Sequence, residues 1–322
     1  YRNSSFRKRH KYFKKDTKGE RKMKKDFLTL SDLTREEAEH IFSLADRIKY
    51  KPSQFSRALR GRSFVLIFDK PSLRTRLSFE LGIKQMGGEA VSFTANEILL
   101  GQREAIKDIA RTVSVYVDGA IIRTFRQETA EEFAHYAKAF VVNALTDKFH
   151  PAQVLSDIYT IRSKKRGGKK LKIAFIGDGN NVCHSLVRAA RLFKFKLFIA
   201  CPPQYCPSSE IVSSASGYVE IFHDPKVVAR NADILYTDVW TSMGKEKEKM
   251  RRLRDFKKFT LNDEIMKRAK KDCLIMHCLP AHRGEEISDA VIESRNSIVF
   301  EQAENRLYVQ KALLYYLAQR AK

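Results

Sequence analysis

The chain has 322 residues, 43% of them hydrophobic, and carries 61 Lys and Arg against 38 Asp and Glu, a formal charge of +23. That apolar content excludes an intrinsically disordered chain, and the length exceeds the usual single domain, so two domains sharing one cleft are expected. No apolar run nears the roughly 18 residues of a membrane-spanning helix. Five cysteines (Cys183, Cys201, Cys206, Cys273, Cys278) in so long a chain make no disulfide framework; reduced thiols in a cytoplasmic setting are expected.

The charge is unevenly placed. Residues 1–22 hold ten basic and two acidic side chains. They show neither a helical apolar period nor the apolar core of a secretory signal; a transit peptide stays open, although serine is sparse. A solvated extension upstream of a start at Met23 is the expectation. The remaining positive charge reads as a lysine-rich surface or as attraction for anionic ligands.

Along the chain, Thr34 and the acids Glu36 and Glu37 open a predicted helix that Pro52 ends, with Ser31 and Asp32 as other capping candidates. The continuous apolar run 63–68 predicts a strand buried on both faces. Lys70-Pro71 turns the chain into a helix stopped by Gly87-Gly88, and strands are predicted at 117–125 and 139–145. A long helix at 151–162 leads into a basic linker at 163–170. Further strands are predicted at 171–176, 196–200, 232–236, 273–277 and 297–300, with helices between, and a last amphipathic helix at 305–320. This alternation predicts an α/β fold of two domains, each a central parallel β-sheet flanked by helices, joined by interdomain helices. The expected boundaries are 23–148 and 149–305, with 306–322 packing back on the first domain.

Several strand ends carry residues suited to chemistry. Ser72-Leu73-Arg74-Thr75-Arg76 lies between a buried strand and a helix, where free backbone N–H groups, hydroxyls and arginines suit a phosphate; an ordinary helix start with exposed arginines is the alternative. Arg123 ends a buried strand, where α/β sheets bind ligands, although a surface ion pair would also account for it. His150 and Gln153 flank one helical turn in Phe149-His150-Pro151-Ala152-Gln153, and could face one ligand or serve as cap and core. Gly177-Asp178-Gly179-Asn180-Asn181 resembles a dinucleotide-binding turn but has Cys183 where the third glycine belongs, and no acid suited to a ribose follows the next strand. NAD is therefore disfavoured. Asp238, before Ser242-Met243-Gly244, can accept from an ammonium group or simply cap its loop. Cysteines 201/206 and 273/278 form two C-x4-C pairs that suggest zinc; Cys273 and Cys278 bracket a predicted strand and point to opposite faces, so that pair cannot share an ion.

In this order the motifs, with His277-Cys278-Leu279-Pro280 and Glu304-Asn305-Arg306, resemble those of the aspartate/ornithine carbamoyltransferase family, and its ornithine branch in particular, from about Phe27 to the C-terminus. The resemblance implies transfer of a carbamoyl group from carbamoyl phosphate to the δ-amine of L-ornithine, giving citrulline and phosphate, with no cofactor and no metal. It places Ser72, Leu73, Arg74 and Thr75 on the phosphate. Arg123, His150 and Gln153, with Arg306 nearby, fall on the carbamoyl group. Pro151, Ala152, Cys278 and Leu279 belong to the same carbamoyl phosphate site. Asn181, Asp238, Ser242 and Met243 fall on the amino-acid end of ornithine, and Cys278 with the Leu279 carbonyl meets the δ-amine. Arg123, His150 and Cys278 are the implied catalytic residues. The first domain would bind carbamoyl phosphate and the second ornithine, in a homotrimer or a multiple of trimers with sites at subunit interfaces.

Two positions depart from the family pattern. Leu73 stands where Thr is usual, which keeps a backbone donor and loses a hydroxyl. Leu99 stands where Gln or His usually reaches the phosphate of a neighbouring subunit, leaving Gln102 or Arg103 as substitutes. Other acceptors (putrescine, an N-acylated ornithine or aspartate) stay open, though the Asp238 loop favours a free α-ammonium. A nucleic-acid-binding protein on a decayed scaffold is the reading from another class, motivated by the charge and by Leu99. The intact constellation argues against it. No membrane partner is expected.

Overall fold

The structure, a computed structural model, describes residues 24–98, 100–101, 103–165, 171–242, 244 and 246–321. The basic extension 1–22, Leu99, Gln102, Met243 and most of the linker therefore lie outside the described residues.

Two parallel sheets form the frame. The first comprises β1 (Ser63–Phe68), β2 (Glu89–Thr94), β3 (Gly119–Arg123) and β4 (Phe140–Leu145), in the order β2-β1-β3-β4. The second comprises β5 (Lys172–Ile176), β6 (Lys196–Ala200), β7 (Val219–Phe222), β8 (Ile234–Thr237) and β9 (Leu274–His277), in the order β7-β6-β5-β8-β9. Seven helices of ten or more residues are described: α1 (Arg35–Tyr50), α2 (Arg74–Gln85), α3 (Ile106–Tyr116), α4 (Gln127–Tyr136), α5 (Pro151–Lys164), α6 (Asn181–Phe193) and α7 (Val299–Arg320).

The strands read as near-continuous apolar runs because both faces of each sheet are covered. In β1, Phe64, Leu66 and Phe68 enter one core while Val65 and Ile67 enter another; in β5, Ile173 and Phe175 part in the same way from Ala174 and Ile176. The shared core runs from the inner face of the first sheet to that of the second, through residues of α1, α5, α6 and α7. Thr34 caps α1, accepting from the Glu37 N–H at 3.2 Å while the Glu37 carboxylate accepts from the Thr34 N–H at 2.8 Å. This reciprocal pair explains why α1 starts there rather than at Ser31 or Asp32.

Two differences from expectation have clear causes. Residues 297–300 are not a strand. Only Ser297 bridges to Ile275, and helix α7 starts at Val299, six residues before the predicted Asn305. Ile298-Val299-Phe300 reads as β-prone, but Phe300 is 65% exposed and Val299 is buried, so the segment presents one helical face to the core. The edge strands β2 and β7 were not anticipated. They mix polar with apolar residues and are only partly buried, which leaves a weaker signal than a central strand gives.

In both sheets the chain reverses direction of winding at the first strand laid down, between β1 and β3 and between β5 and β8. Parallel sheets bind ligands at such switch points, beyond the carboxyl ends of the strands. The last residue of β3 and the loops after β1, β4, β5, β8 and β9 all reach one cleft.

Candidate active site

The cleft measures about 330 Å³. It brings together Ser72, Leu73, Arg74, Thr75, Arg123, His150, Gln153, Asn181, Asp238, Ser242, Cys278, Leu279 and Arg306. Pro151 and Ala152 do not line it: they are buried in the first turn of α5, where Pro151 sits at the first helical position and positions its neighbours. Lys70, Asp147 and His282 also reach the cleft and were not assigned to the site from sequence.

At one end, Leu73 precedes α2 at its N-cap and no side chain caps the first turn, which lines the cleft and leaves its N–H groups open to an anion. Arg306, from α7, donates to the Thr75 hydroxyl at 2.6 Å, and so reaches from the last helix into the first turn of α2. Buried Lys70 pairs with Asp147 and lies 4.3 Å from the centre of the Phe125 ring. Burial, then the neighbouring Arg306 and Arg74, pull the Arg123 guanidinium down to about 10. Burial chiefly, and Arg74 in part, bring Arg306 to about 10 against the opposing pull of Asp157. The same burial, with Arg306 and Arg123 nearby, holds His150 well below its usual 6.5, so its imidazole is neutral near pH 7. Arg123 Nε, His150 Nδ1, Gln153 Oε1 and Arg306 Nε are buried without a hydrogen-bond partner among the described residues. Orphaned polar atoms on this scale are costly unless a ligand completes them.

A network holds these groups from beneath. Asp157 accepts from Gln153 at 2.9 Å, from Gln302 at 2.7 Å and from the Tyr236 hydroxyl at 2.9 Å. Gln302 in turn accepts from the His277 N–H at 3.0 Å, linking α5, α7, β8 and β9. Burial outweighs these bonds and raises Asp157 to about 6.

The other end is acidic and internally satisfied. Asp238 accepts from Asn180 at 2.7 Å, from the Val239 N–H at 2.8 Å and from the Cys278 thiol at 2.8 Å. Burial, then Asp238, push the Cys278 thiol well above its usual 9.0, so it acts as a donor rather than a thiolate. Asn180 also caps α6, accepting from the Val182 and Cys183 N–H groups, a role not read from the sequence. Asn181 donates to the Thr146 carbonyl at 2.6 Å, tying the second-sheet loop to the end of β4. His277 accepts from the Leu279 N–H at 2.8 Å, and its other nitrogen donates to Glu286 at 3.1 Å, which fixes both its tautomer and the Leu279 backbone at φ +55°. Cys273 packs in the outer core of the second sheet while Cys278 borders the inner one, so the two thiols do face opposite sides.

A cleft with arginines and neutral donors whose buried atoms lack partners among the described residues at one end, and a carboxylate at the other, suits an anion beside an amine-bearing molecule in a two-domain α/β protein. The comparisons narrow that class. The carbamoyl phosphate-binding domain of aspartate/ornithine carbamoyltransferases matches residues 25–163, and the Asp/Orn-binding domain matches 169–317. The ornithine carbamoyltransferase of Methanoculleus marisnigri is 46% identical over 92% of this chain and 97% of its own. The solved ornithine carbamoyltransferase of Pyrococcus furiosus is 42% identical, covers 90% of this chain and 96% of its own, and superposes with a TM-score of 0.86. An anabolic ornithine carbamoyltransferase from Campylobacter jejuni is 40% identical over 92% of this chain and 99% of its own, with a TM-score of 0.87. The chain is an enzyme of the aspartate/ornithine carbamoyltransferase family.

Proposed function

We propose that this enzyme transfers the carbamoyl group of carbamoyl phosphate to the δ-amine of L-ornithine, giving L-citrulline and phosphate. The carrying observation is the polarity of the cleft, with Arg74, Arg123 and Arg306 at one end and Asp238 with Cys278 at the other. Ser72, Arg74, Thr75 and the Leu73 backbone hold the phosphate. Arg123, His150 and Gln153 hold the carbamoyl group: neutral His150 and the guanidinium of Arg123 donate to its oxygen as negative charge develops there, and the Gln153 carbonyl accepts from its amide. Asp238 and Asn181, with Ser242 and Met243, hold the amino-acid end, and Cys278 with Leu279 meets the reacting amine.

In the reaction the neutral amine nitrogen attacks the carbamoyl carbon, a tetrahedral oxyanion forms, and the bond to the phosphate oxygen breaks. One amine proton leaves with the phosphate. The leaving group already activates the carbon, so the protein's task is alignment and fixed positive charge. Domain boundaries at 23–148 and 149–305, with 306–322 returning to the first domain, fit this division of labour.

We read the enzyme as cytoplasmic, working in arginine biosynthesis, and as a homotrimer or multiple of trimers. Leu73, Leu77 and Leu81 recur every four residues on α2 with exposures of 69%, 45% and 43%, an apolar stripe beside the mouth of the cleft that suits a subunit contact. An assay with carbamoyl phosphate and a panel of ornithine, putrescine, N-acetylornithine and aspartate tests the acceptor. Ornithine should give the highest kcat/KM; a higher value for any other amine would replace it.

A further inference from the structure

Away from the cleft, the C-x4-C pair Cys201/Cys206 acquires a third partner. Cys201 leaves the carboxyl end of β6, and a single turn at Pro203–Tyr205 folds the chain back so that the Cys206 sulfur lies 3.5 Å from that of Cys201. The neighbouring strand β7 delivers His223: the Cys201 N–H donates to the Phe222 carbonyl at 3.1 Å, and His223 Nδ1 donates to the Cys201 carbonyl at 2.8 Å. The two sulfurs and a ring nitrogen of His223 lie within 4.8 Å of one another. Cys201 is buried and Cys206 exposed, which leaves the cluster open on one side.

We propose that Cys201, Cys206 and His223 bind a zinc-type divalent cation, with a solvent molecule as fourth ligand. Two thiolates and an imidazole form a borderline-soft donor set suited to Zn²⁺. Zinc–sulfur bonds of about 2.3 Å in a tetrahedron separate two sulfurs by about 3.8 Å. The observed 3.5 Å is close to that edge and far from a disulfide bond of about 2.05 Å. With Nδ1 held by the Cys201 carbonyl, Nε2 is the nitrogen left for the ion, and such an acceptor is the usual support of a ligating histidine.

The position gives the cation a consequence. The Gly179 N–H donates to the Tyr205 carbonyl at 2.9 Å, and a Cβ at Gly179 would fall 2.2 Å from the Pro207 nitrogen and 2.6 Å from the Cys206 carbonyl carbon. The backbone that carries Cys206 is thus pressed on the loop that carries Asn180 and Asn181. Tying Cys206 to Cys201 fixes the amino-acid side of the cleft, so the cation should lower KM for ornithine and leave KM for carbamoyl phosphate unchanged.

The test is a Co²⁺ titration of the chelator-treated whole enzyme, read by thiolate-to-cobalt charge-transfer absorption. Cys278 is a second thiol able to take a soft ion, so Cys278→Ser is run in parallel. The wild type and Cys278→Ser should both show the two-thiolate band at one equivalent per chain. Cys206→Ser and His223→Gln, both at solvent-facing positions, should weaken that binding on the order of 10–100-fold or more. A band unchanged in Cys206→Ser or lost in Cys278→Ser would overturn the assignment. So would a Cys201–Cys206 disulfide found by mass spectrometry in enzyme purified under reductant. Zn²⁺ added back to the wild type, with no shift in KM for ornithine, would overturn the coupling to the cleft.

Discussion

At the first-sheet end of the cleft Arg123, His150 and Arg306 leave buried nitrogens without partners among the described residues, whereas at the second-sheet end Asp238 already accepts three bonds, from Asn180, Val239 and Cys278. The two ends are prepared differently. The cationic end is electrostatically frustrated, with burial and like charge both acting against Arg123, and an anion relieves it. The acidic end is rigid before any ligand arrives, because its carboxylate is oriented by neighbours from β5, β8 and β9 loops. In the proposed reaction, charge stabilisation would thus be concentrated where the phosphate and oxyanion develop, and positional order where the amine must be aimed.

Breaking the cationic end should have the largest effect. Arg74→Ala removes a charged, half-buried side chain proposed to hold the phosphate, an expected loss on the order of 2–5 kcal/mol, or about 30- to several-thousand-fold in kcat/KM for carbamoyl phosphate. Steady-state kinetics on the folded variant checks it; a value near wild type would remove Arg74 from the phosphate site.

The acidic end should fail in a different parameter. Asp238→Asn weakens the pairing with the amino-acid ammonium and disturbs the bond from Cys278, a change on the order of 1.5–3 kcal/mol. KM for ornithine should rise about 10- to 150-fold while KM for carbamoyl phosphate stays within about threefold. Equal rises in both would mean that the two ends are not separable in the way their hydrogen bonding suggests.

How far the sequence carried this contrast depends on the type of residue. Arg74, Arg123, His150 and Asp238 were legible because each sits at or near the carboxyl end of a predicted strand, where direction follows from topology. The central strands were legible because burial on both faces leaves an unbroken apolar run, as at 64–68 in β1 and 173–176 in β5. The supporting network was not. Asp157 lies in a helix read from Val154, Leu155, Ile158 and Ile161, and its contact with Gln302 spans 145 residues of chain. No local pattern encodes that distance. The start of α7 was missed for the related reason that β-branched residues at 298–299 outweigh helical periodicity until the burial of Val299 and exposure of Phe300 are seen.

The smallest expected effect sharpens the comparison within the cationic end, where two buried groups oppose each other in pH. His150 is held below 6.5 when folded, by burial and then by Arg306 and Arg123. Below pH 6.5 the unfolded chain therefore takes up a proton that the folded chain refuses, and this contribution to stability is intact above 6.5 and lost as pH falls. Asp157 has the reverse sign: its pKa rises from 3.8 unfolded to about 6 folded, so between these values the folded chain keeps a proton the unfolded chain has released. Its ionisation destabilises the fold as pH rises through that window. The two slopes partly cancel in the wild type. Urea denaturation of His150→Asn and Asp157→Asn between about pH 4 and 7 separates them, each slope being at most about 1.4 kcal/mol per pH unit. Relative to wild type, His150→Asn should gain stability toward acid and Asp157→Asn toward neutral pH. Difference curves that run parallel to the pH axis for both variants would show that neither group titrates differently on folding, and the electrostatic frustration assigned to this end would be lost with them.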